Sequence, residues 1–114
     1  MARTATADTV TNKKSELKIM LLPIDEIKVL CRKYNVRELA LFGSALRDDF
    51  GPASDVDLLV DFKPEATVGF IALSKMRREL AAVFRRPVDL VPKSGLKPRI
   101  RQEVLASAQV IYAA

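Results

Sequence analysis

The chain has 114 residues, 19 Lys and Arg against 14 Asp and Glu, a net charge of +5, one cysteine and no histidine. The missing histidine excludes Ser-His-Asp triads, Cys-His dyads, His-bound zinc and imidazole bases, and the single cysteine excludes an internal disulfide or an all-cysteine zinc site. Chemistry is left to carboxylates, hydroxyls, backbone amides, Lys and Arg. The length fits one small domain, and a catalytic site in it is expected to need a partner or second copy to complete its pocket.

Residues 1–16 are polar and rich in Thr and Ala. They lack the apolar centre of a secretory signal and read as a disordered tail, leaving 17–114 as the single domain. The longest strongly apolar run, Ile19 to Ile24, is too short to cross a bilayer and contains Pro23. A cytoplasmic protein with Cys31 reduced is expected.

Pro23 suits the first turn of a helix, and Asp25 and Glu26 suit its positive end. Ile24, Ile27, Leu30 and Cys31 share one face, so the spacing predicts a helix to about Tyr34, stopped at Asn35. Glu38 to Phe42 reads as a buried strand ending in the turn Gly43-Ser44. Ala45 to Asp49 suits a short helix and Phe50 to Ala53 a loop. Ser54 to Phe62 alternates over its first half and is apolar later, as a central strand with a polar beginning is.

Val68 to Phe84 has helical spacing, and Phe70, Leu73, Met76, Leu80, Val83 and Phe84 read as its core face. Arg85 and Arg86 close that helix ahead of Pro87. Val88 to Val91 is a third strand ended by Pro92. Lys97-Pro98 opens a helix to about Ala108, and Val110 to Tyr112 suits a short edge strand. The fold class is α+β (mixed α/β): a small mixed sheet of three to four strands backed by helices. Tyr34 and Tyr112 read as peripheral packing, and Asp61 as a strand-end residue.

Side chains two apart on a strand face the same way, so Asp55 and Asp57 project together. Asp89, if on the adjacent strand, joins them. Such a cluster of anions needs cations, and carboxylates with phosphates and water suit octahedral Mg²⁺. Two ions can steady both the entering and leaving oxygens of an in-line phosphoryl displacement. Gly43-Ser44 lets backbone amides and a hydroxyl approach a phosphate, and Arg47 is placed to contact the phosphate chain or pair with Asp48 or Asp49. Nine bases against two acids between Lys75 and Arg101 suit a phosphate-bearing ligand or an acidic partner. Alone, each of these motifs is commonplace: a turn, a solvated strand cap, a basic surface.

Phe42-Gly43-Ser44, ten residues, then Asp55-Val-Asp57-Leu-Leu-Val, with Asp89 on a later strand, resembles the nucleotidyltransferase superfamily typified by DNA polymerase β. The short form resembles the minimal nucleotidyltransferases paired with HEPN-domain ribonuclease toxins. The usual Gly after the motif arginine is Asp48 here, with a glycine displaced to Gly51. The resemblance implies the polymerase β-like fold and transfer of AMP from ATP to an acceptor hydroxyl, a tyrosine of the HEPN toxin in the antitoxin branch. By the match, Gly43, Ser44 and Arg47 hold the nucleotide, and Asp55, Asp57 and Asp89 are the catalytic and metal-binding carboxylates for two Mg²⁺ ions. The partners implied are ATP and the toxin, with a hetero-oligomer with the toxin or a homodimer as the assembly, no membrane and no requirement for nucleic acid. Two other readings stay open: an antitoxin that neutralises by binding alone, and a basic nucleic-acid-binding module.

Overall fold

The computed structural model describes residues 22–43 and 55–114. Ser44, Arg47, Ser54, the tail, the short helix at 45–49 and the loop at 50–53 lie outside the described residues.

Helix α1 spans Ile24–Lys33, with Asp25 and Glu26 in its first turn and Arg32 and Lys33 in its last, each sign at the end where the dipole favours it. Ile27, Leu30 and Cys31 form its buried face. Asn35 follows in the left-handed region at φ 57°, which Asn tolerates better than most residues. Strand β1 spans Val36–Phe42, β2 Val56–Phe62, β3 Val88–Pro92 and β4 Gln109–Ala113. Helix α2, Phe70–Phe84, supplies the crossover that a parallel β2–β3 pair requires. It closes on Arg85 at φ 58°. Helix α3 spans Pro98–Ser107, with proline in its first turn.

The sheet order is β3-β2-β1-β4, with β1 antiparallel to both neighbours. Among the described residues the expected small mixed sheet therefore has four strands, with β4 at one edge. The first strand begins two residues before the predicted Glu38, at Val36. Alternation divides the sheet into two faces. Val36, Leu39, Leu41, Leu58, Val60 and Leu90 pack with Ile27 and Cys31 of α1 and Met76 and Leu80 of α2. Ala40 and Leu59 form a smaller cluster with Leu96, against which Val104 and Leu105 of α3 pack. The molecule is thus three-layered, with α1 and α2 on one face and α3 on the other. The middle of β1, covered on both sides, reads as a continuous apolar run for that reason.

One core expectation fails. Phe70 opens α2 and is 82% exposed, whereas Met76 and Leu80 are fully buried. Its stripe meets the core only from Leu73 onward, one turn later. Tyr34 and Tyr112 pack at the border of the larger cluster as expected. Asp61, at the end of β2, takes an ion pair from Arg37.

Candidate active site

Asp57 and Asp89 are each the second residue of their strand, and the parallel register makes them direct partners across β2 and β3. Adjacent strands lie about 4.8 Å apart. Asp57 alternates with Leu59, and Asp89 with Val91, both of the smaller cluster, so both carboxylates project to the α3 face. Asp57 is half-buried and Asp89 exposed. Asp55 stands immediately ahead of β2, exposed at the same end of the sheet.

The third side of this corner comes from β1. Phe42 pairs with Asp57 in the antiparallel register. Gly43 then leaves the strand at φ 68°, where L side chains are strained. A Cβ on Gly43 would lie 2.4 Å from Asp57 Oδ2 and 3.2 Å from its Cγ. The glycine is therefore required twice, by its backbone angle and by the carboxylate against its Cα. This contact joins two motifs that stand fourteen positions apart in the chain.

Among the described residues, no group of three or more His, Cys, Asp or Glu is gathered tightly enough to hold a metal ion by itself. What the strands assemble is a pair, Asp57 with Asp89, and Asp55 stands nearby. That donor set suits Mg²⁺, which is bound through one or two carboxylates and completes its shell with water and substrate phosphates. The glycine cradle leaves the approach to Asp57 free of a side chain on the β1 side.

The basic segment does not form one patch. Lys75, Arg77 and Arg78 belong to α2, on the layer away from the carboxylates, whereas Lys97, Arg99 and Arg101 lie at the start of α3, on the carboxylates' layer. Only the second group shares a layer with Asp57 and Asp89. Sequence order alone hides this division, because the sheet runs between the two helices.

The sequence matches the nucleotidyltransferase domain family over residues 25–111, from the first turn of α1 into β4. It is 39% identical over 85 residues to the protein adenylyltransferase MntA of Thermococcus cleftensis, covering 75% of this chain and 82% of that protein. Its fold is similar to that of a toxin–antitoxin crystal structure with AMP-PNP, with a TM-score of 0.67 and 24% identity across 82% of this chain and 75% of the other. A complex of tri-AMPylated Shewanella oneidensis HEPN toxin with MNT antitoxin gives a TM-score of 0.60 and 22% identity, covering 88% and 73% of the two chains. The sequence match and the shared fold agree: the chain belongs to the nucleotidyltransferase domain family.

Proposed function

We propose that this chain is a Mg²⁺-dependent adenylyltransferase that moves AMP from ATP to a tyrosine hydroxyl of a HEPN-domain ribonuclease toxin, and so acts as that toxin's antitoxin in the cytoplasm. The observation that carries the reading is the in-register Asp57–Asp89 pair set against Gly43. Identity to a protein adenylyltransferase supports the choice of nucleotide and of a protein acceptor.

In this reading the acceptor oxygen bonds to the α-phosphorus, the bond to pyrophosphate breaks, and the hydroxyl proton leaves. Gly43 brings its backbone to the triphosphate without a side chain in the way. Ser44 adds a hydroxyl donor and Arg47 a positive charge. Asp55, Asp57 and Asp89 would hold Mg²⁺, and Asp89 would also take the acceptor's proton. Bound Mg²⁺ would neutralise the phosphate oxygens and lower the cost of deprotonating the hydroxyl.

The test is transfer of label from α-labelled ATP to a co-expressed HEPN protein. Labelling should require Mg²⁺ and disappear in Asp57→Asn and Asp89→Asn, with the melting transition retained. Labelling that survives both substitutions would overturn the site. Toxin that is silenced equally by Asp57→Asn would replace this reading with neutralisation by binding alone.

A further inference from the structure

A second concave surface lies at the other end of the sheet, where α1 finishes and α2 begins. Lys33, Tyr34, Gly69, Phe70, Ile71 and Lys75 line a groove of about 660 Å³. Phe70 and Ile71, adjacent in its lining, are 82% and 79% exposed. Two large apolar side chains in adjacent positions, both in water, are costly and commonly mark a contact surface.

The electrostatics restrict what could cover them. Lys33 Nζ lies 2.9 Å from Glu79 Oε2, and the Tyr34 hydroxyl donates to the same carboxylate. Tyr34 and Lys33 together hold the Glu79 carboxyl below its usual range, so it is ionised near neutral pH. Lys75 adds a second ammonium beside that one carboxylate. α2 has Gly69 at its N-cap, no side-chain cap and no acidic residue in its first turn, so its positive end adds to the same sign. The lining of the groove thus joins two exposed apolar side chains to a net positive charge.

We infer that this groove docks an acidic segment of a partner protein, one that inserts an aromatic or aliphatic side chain between Phe70 and Ile71 and sets carboxylates against Lys75 and Lys33. Two lysines sharing one carboxylate are too few to track a nucleic-acid backbone, and a groove suits an inserted side chain better than a flat bilayer. β1, seven residues at about 3.4 Å each, separates the groove from Gly43, so a partner can be held here without covering Asp57 and Asp89. This docking is independent of adenylyl transfer.

The experiment is selection of random dodecapeptides displayed on phage against the full chain, followed by fluorescence-polarisation titration of the enriched sequences. Enriched peptides should join several Asp or Glu to an apolar anchor. Phe70→Ser and Lys75→Glu should each weaken them by about tenfold with an unchanged melting transition, and Asp57→Asn should bind like the parent. The inference is overturned if selection yields nothing above the Phe70→Ser background or if the enriched peptides lack acidic residues. It is overturned equally if ultracentrifugation finds a dimer that Phe70→Ser dissociates, or if anionic phosphatidylserine vesicles, and not peptides, bind through Phe70.

Discussion

At Gly43 the left-handed backbone and the 2.4 Å approach of Asp57 Oδ2 to a would-be Cβ act on the same position. Gly43→Ala should therefore cost about 1–3 kcal/mol in chemical denaturation, and should also weaken nucleotide transfer, because the displaced group is the Asp57 carboxylate. Cys31 is the other residue whose surroundings decide its chemistry. It is fully buried in the larger cluster, and burial pushes its thiol up to about 12 from an ordinary 9.0. The raised value favours the neutral thiol in the fold, so this contribution to stability is complete below pH 9 and is lost as pH rises toward 12. Tyr34, also raised, chiefly by burial and then by its bond to Glu79, acts with the same sign. Denaturation midpoints should fall across that alkaline window, and Cys31→Ala should flatten part of the fall while lowering stability overall through the cavity it leaves. A thiol reagent at pH 8 should leave Cys31 unmodified until denaturant is added.

Among the elements, α2 shows most clearly what periodicity does and does not convey. Its stripe at 73, 76 and 80 was legible because an amphipathic helix on a sheet must turn those positions inward. Phe70 satisfies the same period, yet nothing in a local pattern says where along its length the helix first meets the sheet. Leu80→Ala should cost about 2–5 kcal/mol, and Phe70→Ala should stay within about 0.5 kcal/mol, both by equilibrium denaturation. Ile71, off the stripe and beside Phe70, was the available sign that this end of the helix faces something else. The strands behave likewise. Asp57 and Asp89 were readable as polar positions in apolar strands, but their pairing depends on β3 lying parallel beside β2, a topological fact set by the α2 crossover. The salt bridge from Lys33 to Glu79 joins residues forty-six apart, and no local motif announces it.

For the whole molecule, the three layers turn an evenly basic stretch of sequence into two unlike surfaces. α3 brings Lys97, Arg99 and Arg101 to the carboxylates' layer, while the bases of α2 lie behind the sheet. If the carboxylate end takes up Mg²⁺ and ATP only in the folded state, the two together must raise the melting temperature. At a hundred times the dissociation constant the gain is about 2.7 kcal/mol, readable by differential scanning fluorimetry, and it should vanish in Asp57→Asn. An unmoved transition at saturating Mg²⁺ and ATP would remove the nucleotide from this corner. The sheet order has a further consequence for how the protein is made. Among the described strands, β1 sits between β2, which follows it, and β4, which comes after β3. A nascent chain can pair β1 with β2 while synthesis continues, but one edge of β1, at Leu39 and Ala40, stays open until β4 leaves the ribosome. The interval between those events leaves an apolar strand edge bare, so chaperone capture during translation should be most productive after β2 has emerged and before β4 has.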